Sequence, residues 1–346
     1  MRGTAEVAVV GAGITGLATA YELVRRGVDV RVFEAARPGA GQSAGRTRIF
    51  RHAHRRLELV ERAVESRALW ERWEDELGAQ LLGREGMLLT GPSAPDVASL
   101  LAEAGTPGRL LDEREQAAAL PILSPPGGPA VLDELGGSTD VGAAIRLLAS
   151  ALGERLMLAE VLAVDPGEPT VVETSEGIWE AGRAVLCAGA GIGALAPELG
   201  MPVTLSCHAR VTFRAPDAGL AALQEQSGVH GETVYAAAFP REPLYAVGLA
   251  GEGAEVPLGA SVRPLVDRIV AYVREALPGL DPEPAGVRLC VPTELPASPD
   301  RFEVWSSGSV LALAGDNLFK FAPWLGRMLA AAACGEREPE GLVPAR

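Results

Sequence analysis

The sequence predicts an α/β domain split by an inserted, largely antiparallel β-rich portion. Three observations point there. A strand, a glycine-rich turn, a helix and a second strand follow one another up to Glu34. A later apolar strand closes on another glycine turn, Ala188-Gly189-Ala190-Gly191. Between that turn and a last strand and helix lie segments in which apolar and polar residues alternate, the pattern of strands with one buried face. With 346 residues, 48% of them apolar, the chain has sequence for about two domains.

Glu6 to Val10 reads as a short apolar strand, Gly11-Ala12-Gly13-Ile14-Thr15-Gly16 as the turn, and Leu17 to Arg26 as a helix. Val28, Val30 and Val32 then alternate toward Glu34. This complete unit of about 30 residues gives GxGxxG its meaning as a dinucleotide site. Gly11 permits the tight turn, Gly13 lets a pyrophosphate reach the backbone, and Gly16 lets helix and strand pack closely. The helix N-terminus offers N–H groups to phosphates. Glu34 is placed to accept hydrogen bonds from a ribose diol, and its charge would repel a 2′-phosphate.

Leu57 to Leu77 reads as a long charged helix ending near Gly78, and Leu81 to about Leu135 as short strands with a helix or two. Ser138-Thr139-Asp140 reads as a cap before the periodic helix Val141 to Leu152. Leu156 to Val164, Thr170 to Thr174 and Ala184 to Cys187 read as strands. Ala209 to Phe213 and Leu244 to Leu249 suggest an antiparallel sheet, interrupted by a helix over Pro264 to Leu277. Ser309 to Ala314 is a last strand, followed by a turn at Gly315-Asp316-Asn317 and a helix from about Trp324. The nucleotide-binding domain is therefore expected over 1–78, 137–202 and 300–346, and a substrate domain over 79–136 and 203–299.

A formal charge of −14 argues against nucleic acid as a partner. The four cysteines, Cys187, Cys207, Cys290 and Cys334, form no CxxC pair, which argues against a disulfide scaffold and fits a reducing cytosol. The N-terminus lacks the charge and apolar pattern of a signal peptide. No apolar run reaches the roughly 20 residues that span a bilayer, so a cytoplasmic protein with no membrane partner is expected. No zinc-spaced His/Cys set, Asp/Glu pair or GxSxG elbow competes for chemistry, so no metal is expected. Ser206, Cys207 and His208 are adjacent on a strand and point to opposite faces, which excludes a triad.

Of the 31 basic residues, 30 are arginine and one, Lys320, is lysine. A compact ammonium that can lose its proton when buried differs in kind from a planar guanidinium. Lys320 reads either as such a functional ammonium or as one lysine surviving in an arginine-rich composition.

At Gly41-Gln-Ser-Ala-Gly-Arg-Thr-Arg-Ile-Phe-Arg-His-Ala-His54 the chain resembles the monomeric sarcosine oxidase family of FAD-dependent amine and amino-acid oxidases, which includes N-methyltryptophan and pipecolate oxidases. The resemblance extends over the glycine fingerprint with Glu34, the block Gly45 to Arg51, the strand ending Leu186-Cys187-Ala188-Gly189-Ala190, Cys290, and Gly315 through Phe319-Lys320-Phe321. It implies a split Rossmann-like FAD-binding domain with an inserted antiparallel substrate domain, the D-amino-acid-oxidase-like arrangement, and FAD as the cofactor. It also implies cofactor contacts from Gly11, Gly13, Gly16, Glu34, Ser43, Arg46, Thr47, Val161, Ala188, Gly189, Gly315, Phe319 and Lys320. A thioether tether to the flavin falls on Cys290, ahead of Pro299-Asp300, although by residue type alone Cys290 reads as a small core hydrophobe. Arg51 and Lys320 fall on positions holding a substrate carboxylate, a fork and a point charge. Arg51 reads otherwise as one solvated charge among Arg46, Arg48, Arg55 and Arg56. Arg48 resembles the arginine that stabilises the reduced flavin. His52 and His54 either contribute there or cap and pack.

The departures lie beyond Phe239-Pro240. Ala246 stands where the family has an oxygen-activating lysine, Ala250 where it has a histidine, and Ala236-Ala237-Ala238 fill the tyrosine region. The resemblance implies hydride transfer from the C–N carbon of a carboxylate-bearing amine to the flavin. The product is an imine, with hydrogen peroxide where oxygen is the acceptor. Two alternatives stay open: a flavin dehydrogenase or desaturase of a tailoring intermediate that reacts poorly with oxygen, and a non-catalytic flavin-binding partner protein.

Overall fold

The computed structural model describes residues 2–124, 127–296 and 300–343. The chain forms two compact units, Met1–Ala44 with Ala143–Ser206 and Val291–Arg346, and Gly45–Gly142 with Cys207–Cys290.

In the first unit the strand Arg2–Val10 lies between the parallel strands Gly177–Leu186 and Val30–Glu34, with Val10 opposite both Leu186 and Phe33. Val310–Gly315 adds to the far side of Gly177–Leu186, again in parallel. Strands buried on both faces need continuous apolar runs, which Val7 to Val10 and Ala184 to Leu186 supply. The helix Ile14–Arg25 crosses the helix Ala322–Ala333 closely, because a Cβ on Gly326 would stand 2.6 Å from the Ala18 carbonyl carbon.

In the second unit the strands Thr233–Phe239 and Glu242–Ala250 form an antiparallel hairpin, and residues 210–214 of the strand Thr204–Arg214 pair with the latter. One sheet face buries Val211, Phe213, Tyr245, Val247 and Val234 against Ile269 and Val273 of the amphipathic helix Arg263–Ala276. Alternation sends Arg210, Tyr235, Ala237, Ala246 and Gly248 to the opposite face. The strand Gly286–Cys290 extends this sheet, with Cys290 opposite His208.

The unit boundaries differ from those read in the sequence. Residues 45–78 and 137–142 cluster with the second unit. Thr47–Phe50 pairs with Gly137–Asp140, and Thr47 Oγ1 donates to the Ala238 carbonyl at 2.7 Å. Residues 203–206 and 291–296 cluster with the first unit, where Thr293–Glu294 pairs with Thr204 and Leu205, and Thr293 Oγ1 donates to Gly315 O. Ser138-Thr139-Asp140 is part of the strand Gly137–Asp140, so the helix Val141–Leu152 leaves directly from a strand. The run Leu156 to Val164 is two strands, Leu156–Leu158 and Val161–Asp165. Pro299 lies outside the described residues. No helix among them is long and apolar enough to cross a membrane.

Candidate active site

The first unit builds a nucleotide turn from close backbone approaches. Gly11 has φ +97°, and a Cβ there would meet the Cys187 carbonyl oxygen at 2.5 Å. A Cβ on Gly16 would lie 1.9 Å from Gly11 O, so only glycine lets the turn close on its helix. At Gly13 a Cβ would meet only Ser43 Oγ, at 3.3 Å. Ser43 Oγ accepts from the Ile14 amide at 2.9 Å and so caps the helix from a distant loop, since Gly13 has no side chain to do so. Glu34 accepts from the Ala12 amide through Oε2 (2.8 Å) and from the Ala36 amide through Oε1 (3.0 Å), which fixes the carboxylate at the turn. Each carboxylate oxygen keeps a further lone pair for a diol. Burial pushes the Cys187 thiol up to about 12, so this neighbour of the turn is no nucleophile. These glycine contours and Glu34 fit the dinucleotide half of FAD.

Val161 begins its strand in the apolar cluster around Phe33 and Val172, while Ala188 precedes the short helical turn Gly189–Gly191, with Gly189 at φ +54°. Gly315 is held by a close approach: a Cβ there would stand 2.5 Å from Arg301 O. Phe319 and Lys320 sit in the buried turn Leu318–Phe321. Lys320 Nζ donates to Asp300 Oδ1 and to the Asn317 carbonyl, both at 2.7 Å, and lies 4.7 Å from the Phe321 ring centre. The ammonium is thus buried and ion-paired, and its charge is already matched. Asp316 stands nearby. Burial first, and then the Asp300 charge, push its carboxyl up to about 7, with Lys320 partly opposing.

The second unit gathers the arginines. Arg46 pairs with Glu242 and lies 5.2 Å from the Phe239 ring centre. Thr47 is fixed by its bond to Ala238, and its carbonyl accepts from Nη1 of Arg48 and from Nη1 of Arg210, each at 2.9 Å. Burial and the Arg210 charge lower the Arg48 guanidinium to about 9, with Cys290 and Tyr235 raising it in part, so it stays charged at neutral pH. The structure therefore brings two residues singled out in the sequence, Arg48 and Cys290, close together. It adds Arg210 and Tyr235, whose only sequence signal is alternation on strands. Arg51 Nη1 donates to the Ala53 carbonyl at 2.5 Å. The segment bearing Arg51 is anchored by Asp133, which is fully buried and accepts from the His52 amide, from the Ala53 amide at 3.1 Å, and faces His52 Nδ1 at 3.0 Å. His52 is thus a packing and anchoring residue. Arg48, Arg51 and Cys290 belong to the second unit and Lys320 to the first.

A profile described as FAD dependent oxidoreductase matches residues 6–332. The chain belongs to this family. The oxidoreductase is 25% identical to the peroxisomal sarcosine oxidase of Homo sapiens over 93% of this chain and 90% of that protein. It is 29% identical to the N-methyl-L-tryptophan oxidase of Salmonella arizonae over 56% of each, so it spans little more than half of that relative. Its fold superposes on NikD, described as an unusual amino acid oxidase essential for nikkomycin biosynthesis, with a TM-score of 0.85, 22% identity and 99% of both chains covered. The α/β architecture with parallel and antiparallel sheets read from the sequence is the fold of these flavoprotein oxidases.

Proposed function

We propose that this FAD-dependent oxidoreductase oxidises the C–N bond of a carboxylate-bearing amino acid or secondary amine to an imine, which water then hydrolyses. The observation that carries the reading is the cationic Arg48 on the strand Thr47–Phe50, which interacts with Cys290 of the same unit. A guanidinium there suits an amine donor with an acidic tail. FAD, when bound, supplies the two-electron acceptor, and the turn at Gly11, Gly13 and Gly16 with Glu34 would hold its nucleotide half. Arg51 holds the substrate carboxylate. Lys320 enters with its charge matched by Asp300, so its proposed part is to shape the buried turn that carries Phe319. Arg48 keeps a positive charge in a half-buried setting, where it stabilises negative charge that develops during reaction. Ser43, Arg46, Thr47, Val161, Ala188, Gly189 and Gly315 are proposed as the remaining cofactor-lining positions.

Cys290 is the proposed thioether tether, supported by its half-buried place beside Arg48. Acid precipitation tests it. Yellow colour stays with the wild-type pellet and leaves with the supernatant in Cys290→Ser; colour retained by the variant removes the assignment. Molecular oxygen is the proposed acceptor. A dehydrogenase reading is favoured by Ala246, whose buried methyl group carries no charge. Slow reoxidation in air after rapid anaerobic reduction supports that reading, and reoxidation at ordinary oxidase rates removes it. The free thiols of Cys187, Cys207 and Cys334 support a reducing, cytoplasmic setting.

A further inference from the structure

His208 has no part in the reading so far. Its sequence neighbour Cys207 turns to the sheet face that buries Ala209 and Val211, so the two side chains diverge. Across the ladder the relation is different. His208 lies directly opposite Cys290 where the strand Thr204–Arg214 runs antiparallel to Gly286–Cys290. Residues opposed in this way share a sheet face with their Cβ atoms about 4.5–5.5 Å apart, a spacing at which an imidazole reaches a thiol. Both side chains are half-buried, so the pair keeps access from outside.

Two further sets of groups shape this pair. Glu255 precedes the short strand Val256–Pro257, which borders Thr204–Arg214, and its Oε2 stands 3.8 Å from His208 Nε2. A carboxylate on that side favours a proton on Nε2 and makes Nδ1, the ring nitrogen nearer the backbone, the accepting atom. Around the thiol the charge has the opposite sign. Arg210 and Arg288 form the next opposed pair on the same face, and Arg48 interacts electrostatically with Cys290. Cations beside a thiol favour its thiolate. Carboxylate, imidazole and thiol therefore follow one another in the order that orients a base and activates a sulfur nucleophile. All of these residues belong to the second unit.

We infer that His208 is the general base that takes the proton of the Cys290 thiol as that sulfur bonds to FAD, with Glu255 as its positioning residue. The inference deepens the proposed function and rests on Cys290 as the tether. In the step, the Cys290 S–H bond and one C–H bond of a methyl group on the flavin ring give way to one S–C bond. The thiol proton passes to His208 Nδ1 and from there to solvent. The methyl carbon is oxidised and its two electrons reduce the flavin ring. Molecular oxygen, the proposed acceptor, then takes the two electrons with two protons as hydrogen peroxide.

Full-length chain produced in riboflavin-starved cells and then mixed with FAD in air tests the inference. Wild type converts bound flavin to acid-stable flavin, seen as a mass gain of one FAD less two hydrogen atoms on the peptide that carries Cys290. His208→Ala still binds FAD, read by quenching of flavin fluorescence, and forms the bond about 100-fold more slowly. Added imidazole restores its rate, which a merely structural role would not allow. Glu255→Gln slows the step by less. Circular dichroism checks that both variants fold. Bond formation at the wild-type rate in His208→Ala, or a slowed rate that imidazole leaves unchanged, overturns the inference while the tether stands. A second readout needs no flavin. In the FAD-free chain, iodoacetamide alkylates Cys290 about tenfold more slowly in His208→Ala than in wild type, and equal alkylation overturns the inference. Wild type that binds FAD yet forms no acid-stable flavin defeats the tether, and slowed alkylation in His208→Ala then still assigns His208 as the base of the Cys290 thiol.

Discussion

Asp133 shows how one buried side chain sets the geometry of a functional segment. Its carboxylate takes the His52 and Ala53 amides and faces the His52 ring, so Asp133→Ala strands those donors in the interior. A loss of about 3 kcal/mol is expected, read as a lowered urea midpoint with unchanged slope. Lys320 and Asp300 make a buried pair, and Lys320→Met leaves a carboxylate uncompensated, at a cost of about 3–5 kcal/mol. Adding Asp300→Asn recovers part of that loss in the double variant. Asp316 makes a pH prediction with a definite sign. The folded chain holds its proton to about 7, against an ordinary value of 3.8. Its stabilising contribution is therefore full below pH 3.8 and is lost as pH rises through 7. Asp316→Asn flattens that dependence in denaturation curves taken between pH 5 and 8. An unchanged slope would contradict the assignment.

At the scale of elements, close approaches make glycine necessary at the helix crossing and on the sheet face. Gly326→Ala drives a methyl group into the Ala18 backbone and costs about 1–3 kcal/mol by overpacking, measurable as a lower thermal midpoint. Gly248→Ala drives a methyl group into the Tyr235 ring and costs about 1–3 kcal/mol by overpacking, read as a lower thermal midpoint. Elements whose cause is local are legible in sequence. The helix Leu57–Leu77 stops where Gly78 takes φ +65°, and the strand Thr170–Thr174 has the bounds its alternation marks. Elements defined by their partners are not. The run Leu156 to Val164 breaks because its first part pairs with Val30–Glu34, whereas its second pairs with Thr170–Thr174, and nothing in an apolar run announces a change of neighbour. Likewise Ser138-Thr139-Asp140 has the composition of a cap but pairs with Thr47–Phe50 as a strand. The Asp300 partner of Lys320 is hidden in the same way, because an ion pair across a turn leaves no periodicity.

For the molecule as a whole, the glycine fingerprint with Glu34, the block Gly45 to Arg51 and the segment Gly315 to Phe321 sufficed to place the chain among FAD-dependent oxidoreductases, since each is a contiguous motif. The division into units needed the structure. Residues 45–78 follow the nucleotide unit in sequence yet hydrogen-bond into the sheet-rich one. The central claim is that the folded chain uses FAD to oxidise an amine carrying a carboxylate. Its most direct test is anaerobic mixing of the purified yellow protein with a panel of N-alkyl and cyclic amino acids, each beside its amide, while flavin absorbance is followed. The account predicts rapid bleaching by at least one of the acids and little or none by the matching amide. Protein that is colourless and takes up no FAD, or flavin that stays oxidised with every amine, would contradict it.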